Sequence, residues 1–283
     1  MFKRISLLLI LFTVFTWQLL IYFIDTSLLD RQQLSENIYH DCAKIWSSRG
    51  FYENKQEQNS LTALNRAFLL GAKGAEIDFY YDVSSDRFIV SHDRPKTNKQ
   101  GVLIYKEKEG RILTLEHVFS EVASSQYFWL DYKNLDRLDE QQTQSAIKRL
   151  LSITEKNSFI ESVYIEGSNP LILSKYTDAG FNTILGIHPL PSSNWLASLS
   201  VSVYKLAYYF NNITALALPY GDLNNPVYSE GAADALSSIP LFLFHVPLDK
   251  PLVQSLLDNQ GVKVLLVGRD KSVNYFDMNS CHQ

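Results

Sequence analysis

Glu76 and Asp78 stand two residues apart in Gly74-Ala75-Glu76-Ile77-Asp78, so on a strand both carboxylates point to one face. Two acidic oxygens aimed at one point suit a hard divalent cation such as Mg²⁺ or Ca²⁺. His92 follows Asp78 by fourteen residues, after the β-rich run Phe88-Ile89-Val90-Ser91. A hairpin there would bring its imidazole back to the same place as a proton carrier. The spacing fits a half-buried strand with its polar face in water equally well, so the surrounding elements must decide.

Short apolar, β-rich runs recur along the chain. Strands are expected near Ala43–Ser47, Ala75–Tyr81, Tyr127–Tyr132, Ser162–Glu166, Thr183–Ile187, Ile213–Leu218, Leu241–His245 and Val262–Val267, with Arg87–Ser91 as an added arm on the second. Helical spacing falls between them: from Ser60 to a stop at Gly71, then Thr114–Val122, Asp136–Thr154, Pro170–Ala179, Asn194–Phe210, Tyr228–Leu236 and Pro251–Asn259. Eight core strands alternating with helices predict an α/β fold of the (β/α)₈ TIM-barrel type, with a doubly wound open sheet as the alternative. Barrel sites lie at the C-terminal ends of the strands. That is where Ser48, Arg49, Glu76, Asp78, His92, Asp131, Lys133, Glu166, His188 and His245 fall.

The 283 residues carry a net charge of −4 and no basic tract, which argues against nucleic acid as a partner. Ile5 through Ile24 is a run of twenty residues without a charge, long enough to cross a bilayer as a helix. No Ala-x-Ala cleavage pattern follows it, so an uncleaved anchor is expected. Lys3 and Arg4 would keep the N-terminus cytoplasmic and place the rest on the periplasmic, lumenal or extracellular side. The expected organisation is a tip and transmembrane helix over 1–25, a linker over 26–42 and the barrel over 43–283. Cys42 and Cys281 could form a disulfide in such a compartment. Asn212-Ile213-Thr214 fits a glycosylation sequon, relevant only in a eukaryote.

These residues resemble the glycerophosphodiester phosphodiesterase family. That family carries His-Arg-Gly after its first strand, a Pro-Glu-Asn-Thr helix start, Glu-x-Asp on the second strand and His-Asp after the hairpin. Here Arg49-Gly50 matches, Asn59-Ser60 stands at the helix start, and Ala63, Ala67 and Gly71 keep the register. Glu76-Ile77-Asp78 and His92-Asp93 follow in order and spacing. The family's Glu-x-Lys on the third strand is Asp131-Tyr132-Lys133, which is similar to the related sphingomyelinase D-like phospholipases. The resemblance spans about residues 43–268 and is strongest over 59–93.

It implies a metal-dependent phosphodiesterase acting on glycerophosphodiester or phospholipid headgroup bonds, carried here on the membrane anchor read from Ile5–Ile24. Glu76, Asp78 and Asp131 would bind one Mg²⁺ or Ca²⁺, Lys133 and Arg49 would hold phosphoryl oxygens, and His92 would carry a proton. The family's first histidine is Ser48 here, and the Glu of the helix start is Gln58. A hydroxyl is too weak a base to replace imidazole, and losing such a group typically costs about 10²–10⁴ in rate. His188 and His245 are the candidates to replace it or to bind substrate. Two further readings remain at this stage: an impaired barrel that binds a phosphorylated lipid or envelope polymer, and an envelope scaffold.

Overall fold

A computed structural model describes residues 2–34, 39, 42–187, 194–268 and 274–279; His188 and Cys281 lie outside the described residues. The chain opens with α1 (Phe2–Leu34). Then β1 (Ile45–Ser47) leads through α2 (Leu61–Leu69) to β2 (Gly74–Asp82), on which β3 (Arg87–Val90) folds back antiparallel. A two-stranded ribbon, β4 (Lys96–Thr97) with β5 (Leu103–Ile104), precedes α3 (Leu115–Glu121). Next come β6 (Tyr127–Tyr132), α4 (Glu140–Lys156), β7 (Val163–Gly167), α5 (Pro170–Asp178), β8 (Asn182–Gly186), α6 (Asn194–Phe210) and β9 (Ala215–Pro219). A second ribbon, β10 (Gly221–Asp222) with β11 (Asn225–Pro226), leads to α7 (Glu230–Ala235), β12 (Leu241–Phe244), α8 (Lys250–Asp258), β13 (Val262–Val267) and a 3₁₀ turn over Tyr275–Asn279.

The ring is closed. β1 pairs in parallel with both β13 and β2, and β6, β7, β8, β9 and β12 complete a parallel eight-stranded (β/α)₈ barrel. The doubly wound sheet is thereby excluded. β6, β13 and α6 coincide residue for residue with the runs expected from sequence. α4 begins later than expected because Asp139 and Gln142 form a reciprocal capping box there, after a 3₁₀ turn over Leu135–Arg137. Ser60, Thr114, Asn169 and Asp249 cap α2, α3, α5 and α8 by accepting backbone N–H groups of the first turn. Each such cap stabilises its helix by about 1 kcal/mol.

Alternation along β2 explains the two-layer core. Ile77, Phe79 and Tyr81 face the helices and join the large outer cluster. Gly74, Glu76 and Asp78 share the opposite face, toward the barrel lumen. The lumen is plugged by Trp46, Trp129, Tyr164 and Phe242, with Ala215, Ala217 and Val264 between them. Gly74 is required beneath this plug, since a Cβ there would stand 2.5 Å from the Trp46 ring. The aromatic plug fills the lower barrel, which leaves the polar side chains only the upper end.

Among the described residues α1 is the one helix long and apolar enough to cross a membrane, over Leu11–Leu28. It continues through Leu34. Its later turns pack on the barrel: Ile24 and Leu28 are buried, Asp25 pairs with Lys205 of α6 at 2.6 Å, and Phe23 meets Tyr209 edge to face. Cys42 is disulfide-bonded.

Candidate active site

β2 and β6 lie in register with Asp78 opposite Asp131, and Glu76 lies one inward-facing position below. This brings a carboxylate oxygen from each of Glu76, Asp78 and Asp131 within 4.8 Å of the others. Asp78 is fully buried and heavily partnered. Arg49 Nε lies 2.9 Å from its Oδ2 and Lys133 Nζ 2.6 Å from its Oδ1. Asn59 adds a reciprocal pair, donating through Nδ2 to Asp78 Oδ2 and accepting the Asp78 backbone N–H at Oδ1. Lys133 also bonds Asp131.

The loop after β1 makes this possible. Arg49 and Gly50 both adopt positive φ, 60° and 81°, which turns the chain sharply and aims the guanidinium back at β2. Gly50 is needed on a second count, because a Cβ there would lie 2.6 Å from the Ala63 carbonyl carbon. Asn59, also at positive φ, donates its backbone N–H to Arg49 O and so closes the loop from its other end. Ser48 Oγ donates to Glu76 Oε2 at 2.7 Å.

Charge is unbalanced here. Burial, reinforced by Asp78, pushes the Glu76 carboxyl up to about 8. Burial also raises Asp131, against the pull of Lys133. Burial opposes the charge on Lys133, but Asp131 and Asp78 outweigh it and the ammonium is held firmly protonated. Glu166 of β7, opposite Asp131 in register, is driven well above the carboxylate range by burial and by Asp131. Its Oε2 accepts the Trp129 indole N–H at 2.6 Å, and Gly186 leaves it room, since a Cβ there would stand 2.8 Å from its Oε1. Four carboxyls, Glu76 and Asp78 buried and Asp131 and Glu166 half-buried, face two cations, so the cluster either holds protons or takes up a positive ion. An all-oxygen donor set with that excess fits a hard dication.

A cavity of about 680 Å³ opens above the cluster. Ser48, Arg49, Glu76, Asp131, Lys133 and Glu166 form its polar side, and Phe244, Val246, Pro247 and Leu248 its apolar wall. His245, at positive φ after β12, lines the same cavity. His92 stands outside that lining, 46 % exposed at the rim, with Nδ1 3.4 Å from Asp93 Oδ1. It is carried there by the Ser91 backbone N–H, which bonds Asp78 O. The structure thus brings together Arg49, Glu76, Asp78, Asp131, Lys133, Ser48 and His245, and sets His92 apart. The sequence pattern assigns no role to Asn59 or to Glu166. Asn59 had a signal, as the polar residue just before the α2 cap; Glu166 had only its place at a strand end.

Compared by sequence, the chain matches no protein-family model and no curated protein. Solved structures do match. A glycerophosphodiester phosphodiesterase from Thermotoga maritima superimposes with a TM-score of 0.55 at 18% identity, covering 80% of this chain and 94% of that one. One from Agrobacterium tumefaciens gives 0.54 at 11%, covering 83% and 99%. One from Parabacteroides distasonis gives 0.53 at 14%, covering 79% and 91%. At these identities the likeness is one of fold. The chain is a TIM barrel whose fold is similar to that of these glycerophosphodiester phosphodiesterases.

Proposed function

We propose that this protein is a membrane-anchored, divalent-metal-dependent phosphodiesterase that cleaves glycerophosphodiester or related phospholipid headgroup bonds. The observation that carries this reading is the Glu76, Asp78, Asp131 cluster with Arg49 and Lys133 at the open end of this barrel type. Glu76, Asp78 and Asp131 would hold one Mg²⁺ or Ca²⁺. When bound, such an ion polarises a phosphoryl oxygen and offsets the charge that builds there. Lys133 and Arg49, fixed by Asp78, present positive charge to the non-bridging oxygens with little reorganisation. The apolar wall from Phe244 to Leu248 suits an acyl-bearing or glyceryl portion of the substrate.

Proton transfer is where the chain departs from the pattern it resembles. Ser48 gives its hydrogen bond to Glu76 and accepts no role as a base. The imidazoles at this face, among the described residues, are His92 at the rim and His245 on the cavity wall. We assign His92 to proton transfer and His245 to the substrate side. Attack by a neighbouring substrate hydroxyl would form a cyclic phosphate as the P–O bond to the leaving alcohol breaks, the hydroxyl proton passing to the departing oxygen. Residues 5–24 would anchor the chain with the N-terminus cytoplasmic, 26–42 would link, and 43–283 would form the barrel on the periplasmic, lumenal or extracellular side.

The test is an assay of the full-length protein on a panel of glycerophosphodiesters and lysophospholipids, with Mg²⁺ or Ca²⁺ and with chelator. Product that requires the metal supports the reading. Silence across the panel, from folded protein that binds the metal, contradicts it.

A further inference from the structure

We propose that the barrel sets its active-site mouth against the anionic phospholipid surface of the same bilayer that the first turns of α1 enter. The contact would be made by the β4–β5 ribbon on one rim and α1 on the other. This rests on the anchored reading above.

The ribbon belongs to the mouth. It follows Ser91, whose backbone bonds Asp78, and it is tied to the loop over the site: Lys108 Nζ donates to Gln56 O at 3.2 Å, and Glu109 Oε1 accepts the Thr62 backbone N–H at 3.1 Å. Its outer surface is of an unusual kind. Val102, Leu103, Ile104 and Ile112 are 55, 39, 53 and 42% exposed, four large aliphatic side chains held half in solvent on one short segment. Around them, residues 94–111 carry six basic side chains against two acidic ones, in a chain whose net charge is −4. Lys106 pairs with Asp93 and Lys108 with Gln56 O, which leaves Arg94, Lys96, Lys99 and Arg111. Aliphatic side chains interspersed with such cations match an anionic headgroup layer, where the chains enter the acyl boundary and the cations meet phosphate.

α1 supplies the second, independent observation. In the ring of strands α6 joins β8 to β9, and β9 stands four places from β2, after which the ribbon comes, so α6 lies across the mouth from the ribbon. The first turns of α6 stand at the C-terminal ends of the strands, as does the β10–β11 ribbon after β9. Trp17 and Gln18 of α1 line one cavity of about 890 Å³ with Ala197 and Ser198 of α6 and with Pro226. The exposed turns before Trp17, with Phe12 at 68% and Phe15 at 63%, therefore leave the barrel at the end where the site opens. Two rims of one mouth, on opposite sides, both present membrane-seeking surface. A lipid headgroup could then enter the cavity without its acyl chain leaving the bilayer.

The experiment uses the full-length protein in vesicles of phosphatidylcholine with phosphatidylglycerol, carrying an environment-sensitive fluorophore on Ile104→Cys. Leu69→Cys is the control: Leu69 is 88% exposed but ends α2, at the opposite face of the barrel. Doxyl-labelled lipids should quench position 104 several-fold more than position 69. Reversing Lys96→Glu, Lys99→Glu and Arg111→Glu together should weaken that quenching in phosphatidylglycerol vesicles. Equal quenching at 104 and 69 overturns the proposal. Extraction of the chain by alkaline carbonate removes the anchor and the proposal with it. Absent phosphodiesterase activity would leave the quenching unchanged, so failure of the enzymatic reading is told apart.

Discussion

The Ser48 hydroxyl donates a 2.7 Å hydrogen bond to Glu76 Oε2, from the position at which the sequence resemblance leads one to expect a histidine. That bond steadies a carboxylate of the cluster and supplies no base. Ser48→His should therefore raise the turnover of metal-loaded protein, by up to about 10²-fold if the imidazole reaches the reacting oxygen. The check is kcat at saturating substrate against wild type. An unchanged kcat in a folded variant would mean that another group already moves the proton.

Glu76→Gln keeps the shape and the acceptor for Ser48 while removing one charge. Divalent-metal affinity, measured by calorimetry, should fall by at least about 100-fold with the fold intact. Asp78→Ala is the poorer test. It strips Arg49, Lys133 and Asn59 of their shared partner, and orphaning buried charge costs about 3–5 kcal/mol.

The metal-free protein should lose stability as pH rises. Glu76 titrates at about 8 in the folded chain against an ordinary value of 4.5. Between those values the folded state binds more protons than the unfolded one, so the unfolding free energy falls with increasing pH. The contribution is complete below the ordinary value and gone once pH passes the folded one; Asp131 and Glu166 act in the same direction. Added Mg²⁺ or Ca²⁺ replaces the proton, so its effect on the melting temperature should be larger at the alkaline end of this window than at the acid end. Calorimetric scans across it, with chelator and with metal, give the comparison.

Much of this was legible in the residue pattern because strand period and cap chemistry are local. The alternation in Gly74-Ala75-Glu76-Ile77-Asp78 fixes which side chains face the lumen, and Ser60 and Asp249 mark helix starts without tertiary help. His92 shows the limit: its motif and spacing match, yet the side chain is 46% exposed and stands outside the cavity lining, which no spacing encodes. Glu166 becomes part of the site only through the β6–β7 register and the empty space at Gly186, both long-range facts. The ribbon over residues 94–112 carries no periodicity to read; its role depends on where its ends are tied.

Gly50→Ala should damage fold and site together. The added Cβ meets the Ala63 backbone at 2.6 Å, and the left-handed φ of 81° adds strain. A loss of about 3 kcal/mol is expected, together with weaker activity as Arg49 loses its aim. Chemical denaturation against a surface control such as Gly110→Ala, also at positive φ but with open space around it, separates the clash from the strain.

The most direct measurement is a ³¹P NMR time course of glycerophosphodiester and lysophospholipid cleavage by the full-length protein with Mg²⁺ or Ca²⁺, run beside Glu76→Gln and His92→Ala. The account predicts a new phosphate resonance for the wild type that chelator abolishes, its near loss in Glu76→Gln and a marked slowing in His92→Ala. Cleavage that proceeds equally in chelator or in Glu76→Gln, or no cleavage by metal-bound wild type, would contradict it.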